Sequence, residues 1–382
     1  MIAGSSVTGG AGADVFTAST NNGITYTGNA GNDTLKATIA QLVSTGSNDH
    51  SFAGGAGTDV LSVTTTTDTT LTDNHFMGIT GIETLTLAST NDVDITTGTA
   101  FNNAVDGKVT ITDGATATAK TITYALGLAT DDITITTGTN QTGATTEDVN
   151  ITTGSGSDTV TYEPGASHVG VNGADQGIVR IATNAGNDTI TVDVGTQVAS
   201  TTSDGIIITP GTGADNITLD AGTRSTTAQS VSEVVIASGD STTTAWDTIT
   251  NFTVATAANF ADSLDVAGTA AIGTLGSHTD FGTIKHHSIT AGVALFDDAA
   301  TYAAELIIGA GNLADVAGYL AANTATDDAI AFAYDSTADG ANDSTMVYSN
   351  QASDIFVLLS GTTGVDSIQI AHGSGANDIT VM

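Results

Sequence analysis

A short turn rich in glycine and ending in aspartate recurs six times along the chain. It reads GGAGADVFT at 9–17, GNAGNDTLK at 28–36 and GGAGTDVLS at 54–62, and returns as TGSGSDTVT at 153–161, TNAGNDTIT at 183–191 and PGTGADNIT at 210–218. In each copy a glycine stands two residues before an aspartate, and an aliphatic or aromatic residue stands two residues after it. Glycine lets the backbone turn through positive φ and aim carbonyl oxygens inward. The aspartate adds a hard anionic oxygen. Such an oxygen set suits Ca²⁺, which takes about six to eight oxygens at about 2.3–2.6 Å. The candidate carboxylates are Asp14, Asp33, Asp59, Asp158, Asp188 and Asp215, with Asp240 in a similar turn. The candidate turn glycines are Gly10, Gly12, Gly31, Gly55, Gly57, Gly156, Gly186 and Gly213. Plain turns without metal are the alternative, but neutral Asn or Ser would turn the chain as well as aspartate does.

These turns need strands to hold them. Threonine, valine, isoleucine and glycine dominate, and short alternating runs recur: ETLTL at 83–87, DVDIT at 92–96, KVTIT at 108–112, DITIT at 132–136, DVNIT at 148–152, DTITV at 188–192 and NITLD at 216–220. Alternation with threonine outward and Ile, Leu or Val inward marks half-buried strands. Ile95, Ile111, Ile135 and Ile151 each open a similar phrase ending in glycine, separated by 16, 24 and 16 residues. The aspartates Asp14, Asp33 and Asp59 are spaced by 19 and 26 residues, and Asp158, Asp188 and Asp215 by 30 and 27. Such an irregular repeat predicts one turn per coil of a wide solenoid. The expected fold is therefore all-β: a parallel β-helix or β-roll-like solenoid over 1–236. An antiparallel β-sandwich is the rival, disfavoured because the turn recurs at the same place relative to its strand.

The six turns resemble the G-G-x-G-x-D-x-U-x nonapeptide of the RTX family, calcium-binding proteins exported by bacterial type I secretion. The family's nonapeptides run back to back, whereas here they are separated, so calcium would lie between turns stacked across coils. GIETLTLAS at 81–89 resembles a phrase of RTX-type surface-layer proteins. The stretch Ala237–Gly268, with Asp240, Asp247, Asp262 and Asp265 at its acidic positions, resembles the closing segment of type I exported proteins. Residues 298–322 read as one or two short helices interrupted near Gly309–Gly311. AIAFAY, STMVY and DIFVLL then read as three strands. This helix-then-strands order resembles the C-terminal domain of bacterial surface-layer proteins, giving a second module over 237–382.

Composition narrows the function. The chain has 382 residues, 41 acidic against 6 basic, and a net charge of −35. Nucleic acid is excluded as a partner on charge, while divalent cations are favoured. There is no cysteine, and no apolar run long enough to span a membrane. The abrupt start at MIAGSSVTGG suggests a mature form or part of a longer protein. Catalytic signatures are missing: no H-E-x-x-H, no G-x-S-x-G and no thiol. The histidines His50, His75, His168, His278, His286, His287 and His372 are scattered, and adjacent residues of a strand face opposite ways. Paired carboxylates lack the aromatic platforms of a sugar-cleaving site, since aromatics make up 5%. Trp246 and Phe252 read as core, as do Tyr302, Leu306, Leu313, Tyr319 and Leu320 on a helix face. The resemblance implies a secreted, non-enzymatic, Ca²⁺-dependent surface-layer or sheath subunit. It would assemble with copies of itself into a lattice or filament and contact cell-surface polysaccharide. An RTX adhesin or matrix-binding module is the alternative, as is the noncatalytic calcium and export portion of a larger enzyme.

Overall fold

The computed structural model describes residues 4–21, 23–42, 50–65, 67, 69–87, 93–105, 108–113, 120–125, 132–137, 147–164, 179–192, 206–219, 232–254, 262–266, 271–272, 279–301, 304–370 and 378–382. His168, His278, His372, Tyr302 and Asp131, which the sequence reading weighed, lie outside these residues. The fold is all-β, a parallel β-solenoid followed by a β-rich C-terminal sheet. The chain divides into two compact units: 1–171 with 175–183 and 192–197, and 172–174 with 184–191 and 198–382.

In the first unit, every strand pairing among the described residues is parallel. One sheet runs Val15–Thr17, Thr34–Thr38, Val60–Thr64, Thr84–Leu87, Lys108–Asp113, Asp132–Thr137 and Thr159–Pro164. A second runs Thr69–Thr72, Val93–Thr96, Lys120–Ala125, Glu147–Thr152 and Val179–Ala182. A third holds Ser6–Thr8, Thr25–Ala30, Ser51–Ala56 and Ile79–Thr80. Register stacks like on like. Phe16, Leu35, Leu61, Leu85 and Ile111 form one inward column, and all five are buried. Tyr26, Phe52 and Ile79 form another. The residue two after each turn aspartate is thus a core residue, and a one-residue slip would expose every member of its column. Short helices not expected from the sequence span Ile39–Leu42 and Thr99–Val105. The second follows from Asp73, whose carboxylate accepts the N–H of Ala100 (3.1 Å) and Phe101 (2.9 Å). Phe101 then meets Phe76 edge-on at 4.8 Å.

The second unit opens with Thr189–Val192, Asn216–Thr218 and Asp247–Thr250 in parallel, and Ile355–Ser360 adds to Asp247–Thr250, also in parallel. The sheet continues through Ser344–Ser349, Asp328–Tyr334, Val293–Asp297 and His286–Thr290. The other sheet holds Ile206–Thr209, Ser232–Ile236 and Ser263–Val266, closed by antiparallel Asp378–Val381 and Ile368–Ile370. The three C-terminal strands read from the sequence are therefore present. The helix is shorter than expected: it spans Leu313–Asn323, and the described residues 298–301 and 304–312 are not part of it. Asp297 explains part of this, since its carboxylate binds the N–H groups of Ala299 and Ala304 in a loop. Leu313, Val316, Tyr319 and Leu320 face a core with Phe296, Phe332, Tyr348 and Phe356, and Trp246 packs against its edge 6.4 Å from Tyr334.

Candidate metal centre

The turn aspartates open the strands of one solenoid edge, so parallel stacking brings them into line. In the first unit the N–H groups of three turn aspartates each donate to the carboxylate of the next coil. Asp14 N–H reaches Asp33 Oδ1 at 2.8 Å, Asp33 N–H reaches Asp59 Oδ1 at 2.7 Å, and Asp59 N–H reaches Glu83 Oε2 at 2.6 Å. The second unit repeats the device: Asp188 N–H to Asp215 Oδ1 at 2.7 Å, and Asp215 N–H to Asp247 Oδ1 at 3.0 Å. Here the ladder ends on a hydroxyl. Asp247 N–H donates to Ser241 Oγ (2.7 Å), which itself donates to the Phe356 carbonyl. Asparagines run a second line beside it. Asn32 Oδ1 accepts Thr58 N–H and Asn187 Oδ1 accepts Ala214 N–H, each at 3.0 Å.

One oxygen of each carboxylate is thereby used. The other oxygen of Asp33, Asp59, Asp215 and Asp247 is buried and accepts no hydrogen bond. These four residues are at most 1% exposed. An orphaned buried acceptor costs about 1–3 kcal/mol, and more when charged. At Asp33 and Asp59 the orphan oxygen shares a narrow gap with a backbone carbonyl. The point where a Cβ of Gly28 would sit lies 2.1 Å from Asp33 Oδ2 and 2.3 Å from Gly54 O. At Gly54 the corresponding atoms are Asp59 Oδ2 at 2.5 Å and Gly81 O at 2.1 Å. At Gly9 they are Asp14 Oδ2 at 2.3 Å and Gly28 O at 2.9 Å. The same pair of oxygens, one carboxylate and one carbonyl, therefore converges in each of the first three coils.

Glycine is required where coils approach most closely. Gly57 has φ of 146° and Gly213 of 149°, and a Cβ there would lie 2.1 and 1.5 Å from the carbonyl oxygens of Gly31 and Gly186. Gly31, Gly55, Gly156 and Gly186 share the positive φ. Gly10 instead donates its N–H to Asp14 Oδ2 at 2.6 Å, and Gly12 is open.

Burial and mutual repulsion set the electrostatics. Burial raises the Asp59 pKa, the Asp33 N–H partly opposes it, and the Glu83 and Asp33 charges add to it. Burial pushes Asp215 up to about 7, with the Asp188 and Asp240 charges adding to it, and Asp247 up to about 9, with the Asp215 and Asp240 charges adding to it. Burial also raises Asp240. Its Oδ2 accepts the Ala237 N–H at 3.0 Å in a turn of its own, so Asp240 stands beside the ladder and Asp247 occupies the rung.

The sequence thus points to the turn aspartates and to Asp247 as an acidic position of the 237–268 segment, but not to Asp247 as a rung, nor to Glu83, Ser241 and the asparagine line. Asp158 is buried, and it opens its strand out of line with the first ladder. Thr84, Thr110, Thr134 and Thr161 share one column, one residue after Glu83 but three after Asp158. Val109 follows Glu83 in that column and ends the run of carboxylates.

The donors fit a hard cation. They are all oxygen, half of them anionic, and a cation would satisfy the orphan oxygens that no N–H reaches. Among the described residues no three His, Asp or Glu side chains converge, so backbone carbonyls must supply much of any shell. No protein-family model, curated protein or solved structure matches the chain. Among the described residues no helix is long and apolar enough to cross a membrane.

Proposed function

We propose that this protein is a Ca²⁺-dependent, self-assembling surface-layer or sheath subunit of the bacterial exterior, exported by type I secretion and without catalytic activity of its own. The observation that carries this reading is the line of buried carboxylates whose second oxygen has no donor, at Asp33 and Asp59 beside a glycine carbonyl. Asp33 and Asp59 would hold the metal with the carbonyls of Gly54 and Gly81, and Asp14 with that of Gly28. Asp215 and Asp247 would serve in the second unit, and Asp158 and Asp188 join as turn aspartates of the same motif. Bound Ca²⁺ supplies positive charge between coils. The residues themselves do the rest: Oδ1 fixes each coil to its neighbour, and the glycines admit the close approach. Without cation, a chain of net charge −35 repels itself and stays loose enough to thread an exporter. Extracellular Ca²⁺ modules bind at about 10⁻⁴–10⁻³ M, a range that separates the cytoplasm from the exterior.

Metal analysis of the purified chain, with circular dichroism during a Ca²⁺ titration and electron microscopy of the product, tests the reading. Saturable Ca²⁺ binding, a gain of β signal, poor substitution by Mg²⁺, and sheets or filaments are expected. A metal-free chain with the same spectrum and melting temperature as the Ca²⁺-treated one would overturn it.

A further inference from the structure

We infer that two copies of this chain stack face to face through the outward side of the first unit's long sheet, related by a two-fold axis that runs along the strands. The inference rests on the self-assembly reading above and names the partner surface. Within that unit the sheet has seven parallel strands, from Val15–Thr17 to Thr159–Pro164. Its inward side carries the Leu35, Leu61 and Leu85 column. On its outward side one column runs from Val15 to Thr161 without a charge, and its last four members are Thr84, Thr110, Thr134 and Thr161. These four threonines are half-exposed. The next column, two residues further along each strand, runs from Thr17 through Lys36, Ser62 and Thr86 to Glu163. Neither column holds an aromatic residue, on which a sugar ring would stack.

Charge selects the partner. The chain holds 41 acidic residues against six Lys and Arg, so most surfaces of two copies repel each other. This face is balanced: Lys36 and Lys108 are matched by Asp132 and Glu163 at outward positions of the same strands. Lys108 and Asp132 are register neighbours within one copy. Lys36 and Glu163 stand on the second and seventh strands of one column, about 24 Å apart at about 4.8 Å per strand. A two-fold axis passing between Thr86 and Thr112 reverses the strand order and keeps each column over itself. It sets Lys36 of each copy over Glu163 of the other, with hydroxyl-bearing columns between the two pairs. A two-fold along the columns would leave Lys36 and Glu163 without an opposite charge. Six strands at about 4.8 Å and four residues at about 3.3 Å make a patch of about 400 Å² a side. That is half of the about 800 Å² per partner of a stable interface, so the contact is weak alone and counts where it repeats in an assembly.

The chain has no cysteine, so single thiols report the contact cleanly. Thr86→Cys and, separately, Val15→Cys variants of the full chain are treated with a short bis-maleimide in Ca²⁺. Thr86 lies beside the axis and meets its own copy. Val15, 65% exposed in the neighbouring column, stands on the first strand and far from its own copy. Adducts between two Thr86→Cys copies should exceed those between two Val15→Cys copies at least about tenfold, because contact raises the effective thiol concentration. Adding Lys36→Glu or Glu163→Lys to Thr86→Cys should cut the yield about fivefold, two exposed pairs being lost by symmetry, and both reversals together should restore it. Equal yields at the two thiols, or no restoration by the double reversal, would overturn the inference. So would adducts at the Val15→Cys level with the Thr86→Cys thiol shielded by added polysaccharide, which gives the face to a glycan. Calcium content is measured on the same samples. Thr86→Cys adducts without bound Ca²⁺ defeat the metal reading alone, and a Ca²⁺-loaded chain without them defeats the stacking alone.

Discussion

Replacing Asp59 by asparagine should change stability in opposite directions with and without calcium. The amide is isosteric. Its oxygen can still accept the Asp33 N–H, now at 2.7 Å, and its nitrogen can donate toward the Gly81 carbonyl that faces Oδ2. It also removes a charge that Glu83 and Asp33 repel. In chelator the variant should therefore be more stable than the parent, by about the 1–3 kcal/mol that an orphaned buried acceptor costs. In calcium the comparison reverses. A site held at ten times its Kd contributes about 1.4 kcal/mol by mass action, and a neutral amide forfeits most of that.

Urea unfolding followed by far-ultraviolet circular dichroism, in excess chelator and in millimolar Ca²⁺, gives both differences. A midpoint raised in chelator and a smaller calcium response are expected together. If the variant moves the same way in both conditions, or calcium raises its midpoint as much as the parent's, Asp59 is not a cation ligand. The argument from its unpartnered oxygen then fails.

In metal-free protein, Asp215 and Asp247 have folded pKa values raised above 3.8, to about 7 and about 9. The folded state then holds protons that the unfolded chain releases, so this stability is fully present below about pH 4, falls as pH rises, and is gone above about 7 for Asp215 and about 9 for Asp247. The melting temperature in chelator should fall over that window, and Asp247→Asn should flatten the fall; a slope unchanged in the variant would refute the assignment. Gly213→Ala places a Cβ 1.5 Å from Gly186 O at φ of 149° and should cost about 3 kcal/mol or more in chemical denaturation. Gly12→Ala, with no atom within 4 Å, should stay within about 0.5 kcal/mol, and equal effects would refute the close-stacking argument. Ser241→Ala removes the acceptor of Asp247 N–H and a donor to Phe356 O, and should destabilise the second unit by about 1–3 kcal/mol. Fluorescence of the single tryptophan, Trp246, reads that unit during urea unfolding, and an unshifted midpoint would dismiss the capping role.

The fold was legible where one physical signal sufficed. Period-two alternation identifies the strands because parallel stacking demands that Leu35, Leu61 and Leu85 share one side. The three C-terminal strands carry long apolar runs, which few turns or loops tolerate. The helices were harder. Alanine and leucine after 298 favour a helix by propensity, yet the Asp297 carboxylate captures two backbone N–H groups and holds part of that stretch as loop. Thr99–Val105 has the opposite history. Its sequence is short for a helix, but Asp73, a residue 26 positions before Thr99, caps its first turn. Propensity cannot see either carboxylate, because both act through tertiary placement.

The candidate site divides the same way. Glycine two residues before aspartate is a local pattern, and it exposes Asp33, Asp59 and Asp215 at once. Glu83 and Asp247 lack that pattern: Glu83 follows Gly-Ile, and Asp247 follows Ala-Trp. They join the ladder because register brings them under Asp59 and Asp215, and any side chain with a carboxylate at that rung can accept the N–H above. The signal that would have found them is the strand that follows. Glu83-Thr-Leu-Thr and Asp247-Thr-Ile-Thr read like Asp188-Thr-Ile-Thr, an acid leading the same alternation. In a solenoid, the unit that specifies a ligand is thus the acid together with its strand, and the glycines specify only how closely the next coil can approach. Sites read from glycine alone undercount the rungs. They also miss the termini, where Ser241 ends one ladder with a hydroxyl and Val109 ends the other with no acceptor at all.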